Sequence, residues 1–149
     1  MGLRIPLLQV LLLLGGGLYA SNPVGGDTTI TIFEDVSRTF SVDDFPFSDE
    51  DGDSFSGIQI VDLETAGDLE YNGNDILIGD VVTDVTNLEF TPALHSNAFP
   101  YASFAHRVID SNGDTSSVDT LYTMTINVTA VNDNPEAEDD VASGDEDND

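Results

Sequence analysis

Leu121-Tyr-Thr-Met-Thr-Ile-Asn-Val-Thr-Ala-Val131 decides the fold. Tyr122, Met124, Ile126, Val128 and Ala130 fall on one side of an extended chain, and Thr123, Thr125, Asn127 and Thr129 on the other. A strict period of two, with an apolar and a hydroxyl-rich face, is a half-buried antiparallel strand and not a helix. Asn127-Val-Thr129 also matches a glycosylation acceptor, but mid-strand and relevant only in a eukaryotic host.

Working outward, the same alternation recurs in shorter pieces. Thr28–Phe33 places Ile30 and Ile32 together, and Arg38–Val42 places Phe40 and Val42 together. Gly57–Leu63 and Leu88–Phe90 add two more strand candidates, the second closed by Pro92. Asp68–Tyr71 and Ile76–Ile78 flank Asn72-Gly73, two residues that tolerate positive φ and therefore predict a hairpin. In Tyr101–Ile109, Phe104, His106 and Val108 share a face. No stretch beyond residue 21 carries a helical period. About seven short strands separated by turn residues predict an all-β, antiparallel β-sandwich.

The 149 residues suit one ordinary domain. Asp and Glu number 29 against three arginines (Arg4, Arg38, Arg107) and no lysine, for a formal charge of −26. Nucleic-acid binding needs basic patches, so that class of partner is excluded. Such a charge repels itself and calls for compensation by bound cations or by ambient salt. There is no cysteine, so a small secreted domain would need a brace other than a disulfide, and divalent metal suits an acidic chain.

Residues 1–20 differ in character. Arg4 precedes the apolar stretch Ile5–Leu14, three glycines follow, and Ala20 ends the segment at a small residue. That order predicts a signal peptide and a secreted or cell-surface protein, with any membrane attachment through this segment or an anchor elsewhere. A second long-range pattern concerns Asn22-Pro23, Asp27 and Glu34-Asp35. Their counterparts are Asn134-Pro135, Asp139 and Glu146-Asp147, each 112 positions on (22 to 134, 27 to 139, 34 to 146). This spacing predicts a tandem array, with one unit over 22–134 and the start of another over 135–149.

Carboxylates concentrate at three places: Asp49-Glu-Asp-Gly-Asp53, Asp110-Ser-Asn-Gly-Asp114, and Asn132-Asp133-Asn134 with Glu34-Asp35. Oxygen ligands at i, i+2 and i+4 in a glycine-containing turn suit Ca²⁺, which takes six to eight oxygens. The candidate ligands are therefore Glu34, Asp35, Asp49, Asp51, Asp53, Asp110, Asn112, Asp114, Asn132, Asp133 and Asn134. Neither turn is an EF-hand loop, because Ile60 and Leu121 stand where the bidentate Glu belongs. The competing reading is that Asp, Asn and Gly are simply turn formers on a salt-adapted surface. Strand alternation in a sandwich predicts that the 49–53 and 110–114 turns share one pole, with Glu34-Asp35 and 132–134 at the other.

At these residues the chain resembles bacterial cadherin-like repeats, which occur in tandem in large secreted and surface adhesins. The likeness is carried by Val128-Thr-Ala-Val-Asn-Asp-Asn-Pro135, Phe47-Ser-Asp-Glu-Asp-Gly-Asp53, Leu88-Glu-Phe-Thr-Pro-Ala93 and Val108-Ile-Asp-Ser-Asn-Gly113, and covers about 22–149. It implies an immunoglobulin-like sandwich, calcium at inter-repeat joints, and a role in adhesion or as a spacer. Its partners would be neighbouring repeats of the same chain, and a cell-surface protein or glycan. Glu34, Asp49, Asp51, Asp53, Asn132, Asp133 and Asn134 match positions resembling cadherin ligands. Ala130 stands where animal cadherins carry an Asp, and no counterpart of their mid-domain Asp-x-Glu stands out, so the resemblance implies one or two ions instead of three.

Two other classes compete with this reading. An enzyme would need more than His95 in a loop and His106 on an apolar strand face, and turn carboxylates in water lack the apolar cleft that glycoside hydrolysis demands. A carbohydrate-binding sandwich, or an accessory domain of a larger secreted enzyme, would have only Phe99 and Tyr101 as stacking candidates.

Overall fold

The computed structural model describes residues 20–132. All but Ala20 of the segment read as a signal peptide (1–20), and the segment read as the start of a second unit together with Asp133 and Asn134, lie outside them. Eleven strands follow in order: β1 Val24–Gly25, β2 Thr28–Phe33, β3 Arg38–Thr39, β4 Phe47–Ser48, β5 Phe55–Asp62, β6 Asp68–Tyr71, β7 Asn74–Asp75, β8 Val81–Val82, β9 Leu88–Thr91, β10 Ala98–Asp110 and β11 Tyr122–Thr129. Five of them form one sheet in the order β2-β11-β10-β5-β8, four form a second in the order β3-β9-β6-β7, and β1 pairs with β4. The fold is an all-β sandwich.

The alternating residues make the core between the two sheets. Ile58, Ile60, Val108, Met124, Ile126 and Val128 come from the larger sheet, and Leu69, Leu88 and Phe90 from the smaller. Phe40 meets Phe104 edge-on at 5.9 Å, and Phe45 meets His106 edge-on at 5.1 Å. Edge-to-face contact is a favoured aromatic geometry and adds to the burial of each ring. Asn72 and Gly73 adopt φ of 54° and 72°, so the expected hairpin turn forms between β6 and β7.

Three local readings change. Arg38–Val42 is a strand only over Arg38–Thr39, and Val42 is exposed. Asp44 is the reason: its carboxylate accepts from Ser41 N (2.8 Å), Ser41 Oγ (3.0 Å) and Arg38 Nη2 (2.7 Å), which folds Val42–Asp44 into a 3-10 turn. Of Ile76–Ile78 only Ile76 is buried; Leu77 donates its N–H to Asp80 Oδ2 (2.9 Å) and the chain turns away. The third change concerns direction. The large sheet is not wholly antiparallel, because β2 runs parallel to β11, with Ile30 beside Ile126 and Phe33 beside Thr129. No hairpin links these two strands, so no tight turn forces them to run in opposite directions.

That parallel pair sets up the two poles. Because β2 and β11 point the same way, Glu34-Asp35 and the Ala130–Asn132 exit leave the sheet at one end. At the other end, Phe55 of β5 pairs with Asp110 of β10, so the turns before β5 and after β10 are neighbours. The two ends are separated by the length of β10, roughly 40 Å at about 3.3 Å per residue.

Candidate metal centre

The turns 49–53 and 110–114 adopt the same local structure. Asp49 Oδ1 accepts from the N–H groups of Asp51 (2.8 Å) and Asp53 (3.2 Å). Asp110 Oδ1 accepts from those of Asn112 (2.9 Å) and Asp114 (2.9 Å). The fourth residue of each is a glycine in the left-handed region, Gly52 at φ 86° and Gly113 at φ 90°. An Asp that caps the two following amides, with glycine supplying the positive φ, closes a loop that points the intervening side chains outward. In both turns the first Asp keeps its second oxygen, Oδ2, buried and without a hydrogen-bond partner among the described residues. Burying an unpaired carboxylate oxygen is costly unless a cation or water takes it up.

The turns touch. Asn112 Nδ2 donates to Asp53 Oδ2 (2.7 Å), and Ser54 N donates to Ser111 Oγ (3.3 Å). Asp51, Asp53, Asn112 and Ala20 line an open cleft of about 290 Å³. Asp49, Asp51 and Asp53 each place one carboxylate oxygen within 4.8 Å of the others. Calcium ligands sit about 2.3–2.6 Å from the ion, so oxygens bound to one ion lie at most about 5 Å apart. The three carboxylates fit that limit. Asp51 Oδ2 also accepts from the N–H of Ser21, at the entry to the domain.

The other predicted ligands are placed differently. Asp110 is almost wholly buried (1 % exposed), and neither it nor Asp114 belongs to a cluster with the spacing of the 49–53 carboxylates. Glu34 is buried too (3 % exposed), and both its oxygens are engaged: Oε1 accepts from Val131 N (2.6 Å) and Oε2 from Asn97 Nδ2 (3.0 Å). Its own N–H donates to Thr129 O (3.0 Å). Glu34 thus clamps the exit strand to the loop before β10. Asp35, at φ 61°, accepts from His95 N (2.8 Å), and its second oxygen lies 3.5 Å from His95 Nδ1. Asn132 is exposed beside them.

A second carboxylate group was not anticipated. Asp68, Glu70 and Asp75 also bring oxygens within 4.8 Å of one another. Asp68-Leu-Glu70 has the Asp-x-Glu spacing that the sequence reading did not pick out, and the hairpin sets Asp75 opposite Glu70. Strand alternation and the Asn72-Gly73 turn were together enough to find it.

His106 is fully buried, with neither ring nitrogen hydrogen-bonded to a described residue. Burial pushes its pKa down to about 4, against an opposing pull from the Asp27 carboxylate. It is a core residue.

No family model, curated protein or solved structure matches this chain. Within the described residues, acidic clusters able to hold a metal ion are the chemistry this fold displays.

Proposed function

We propose that the chain is a calcium-binding, cadherin-like repeat of a secreted or surface protein, non-catalytic, serving as a metal-stiffened spacer in adhesion. The observation that carries this reading is the Asp49-x-Asp51-x-Asp53 turn, whose three carboxylates converge within 4.8 Å and are joined by Asn112 from the neighbouring turn. Three like charges at that separation repel one another, and the chain offers no lysine to offset them. A hard divalent cation removes the repulsion and supplies a partner for oxygens the protein leaves bare.

The action is mechanical. Ca²⁺ orders the entry pole by joining the turn before β5 to the turn after β10. At the far pole Glu34 fixes the exit strand, so the next repeat leaves at a defined angle. Because the ion binds the folded state, it raises stability by mass action. Thermal unfolding of the full chain with Ca²⁺ and with chelator, at matched ionic strength, tests the proposal. A higher midpoint with Ca²⁺ supports it; an unchanged midpoint favours a salt-adapted surface.

A further inference from the structure

Among the described residues the two main sheets have four edge strands, and they are not alike. β3, β7 and β8 are each two residues long, and β3 and β7 carry Arg38 and Asp75. Short and charged edges are the usual protection against edge-to-edge pairing. β2 has none of it. Thr28-Thr-Ile-Thr-Ile-Phe33 is six residues long, without charge, proline or glycine. Its neighbour β11 lies on one side only.

The direction of the free groups follows from the pairing. Glu34 N donates to Thr129 O, so the even-numbered residues of this strand turn their backbone groups toward β11. Thr29, Thr31 and Phe33 therefore turn their N–H and C=O groups outward. None of these groups has a partner among the described residues. Their side chains are exposed, Phe33 to 59 %. The outward residues of β11 beside them (Thr123, Thr125, Asn127, Thr129) carry no charge either.

We propose that β2 is a docking edge for a second copy of this chain, the two β2 strands pairing antiparallel about a two-fold axis. Such a strand is its own complement, because the two-fold sets outward donors of one copy against outward acceptors of the other. Among the possible approaches of a second copy, charge favours this edge. A chain of −26 repels its copies over most of its surface, whereas the six residues of β2 and the adjoining β11 face carry no charge themselves. Asp27 on one side and Glu34-Asp35 on the other confine the pairing to the six residues between them. The association therefore strengthens with salt, which screens the remaining repulsion. An interface built on ion pairs would weaken instead.

The test is sedimentation of the full chain in about 0.05 M and about 1 M NaCl, with chelator in both so that metal plays no part, alongside site-resolved amide exchange. The expected result is a monomer–dimer equilibrium shifted to dimer at high salt, with slowed exchange at Thr29, Thr31 and Phe33. Thr31→Pro removes an outward N–H in each copy without touching the bonds to β11. It should weaken dimerisation at least about tenfold. Thr31→Glu keeps the backbone and should weaken it likewise; protected β11 amides confirm that each variant is folded. A monomer at high salt overturns the proposal. So does a dimer that both variants leave intact and in which these three amides exchange freely, since the contact then lies elsewhere, as in the apolar 5–14 stretch.

Discussion

Replacing His106 with leucine should make the protein less sensitive to acid. The ring is fully buried between Phe45, Phe104 and Tyr122, and the Asp27 carboxylate, held by Thr123 N at 2.8 Å, opposes the effect of burial. Desolvation lowers its pKa from 6.5 to about 4. A lowered folded-state value means that the unfolded chain takes up the proton first. The stability at stake is fully present above pH 6.5 and is lost as pH falls from there toward 4. At about 1.36 kcal/mol per unit the ceiling is roughly 3 kcal/mol, and most of it is lost between pH 7.5 and 4.5. Acidification acts on more than this one ring, so the wild type alone cannot isolate the effect. The assay is urea unfolding of wild type and His106→Leu at both pH values. Leucine has a similar volume, and its packing cost is independent of pH, so it cancels. The gap between the two proteins should move by roughly 2–3 kcal/mol in favour of the variant on acidification. A gap that stays constant with pH would refute the argument, as would an imidazole titrating near 6.5 in the folded protein.

Asp44→Ala removes the acceptor for Ser41 and Arg38 and should cost about 2–3 kcal/mol in denaturant unfolding, with Asp44→Asn recovering part of it. Glu34→Ala strands Val131 N and Asn97 Nδ2; about 1–3 kcal/mol is expected, with faster exchange of the Val131 amide as the local readout. Asp110→Ala leaves the Asn112 and Asp114 amides uncapped at a buried position, so roughly 2 kcal/mol should be lost even in chelator, measured by thermal unfolding.

The fold was legible where the pattern is local. Thr28–Phe33 and Tyr122–Thr129 bury every second residue as their sequences require, and Asn72-Gly73 turns where its φ tolerance says it should. What escaped was set by contacts distant in sequence. Val42 reads as a strand residue until Asp44 captures Arg38 and Ser41. Nothing local in Thr28–Phe33 says that its partner is β11, ninety-odd positions on, or that the two run parallel. The two-pole arrangement followed from strand alternation alone, yet the parallel pair is what realises it at the exit end. Within the sites, residue type gave the acidic turns but not the burial of Asp110, since Asp-Ser-Asn-Gly reads as a solvated turn. Nor did it give the engagement of Glu34 by Val131 and Asn97, which depends on three separate segments meeting. Asp68, Glu70 and Asp75 were legible in principle, because the two-residue Asn72-Gly73 turn sets the register that brings Asp75 opposite Glu70.

The central claim is that the entry-pole turns form a cation site and not merely an acidic surface. Site-resolved NMR titration of the full chain with Ca²⁺, at fixed ionic strength and with Na⁺ as the control ion, tests it most directly. The account predicts saturable shifts centred on Asp49–Asp53 and reaching Asn112, abolished in Asp51→Asn/Asp53→Asn. Shifts that are small, linear in concentration and spread over all the acidic residues alike would contradict it.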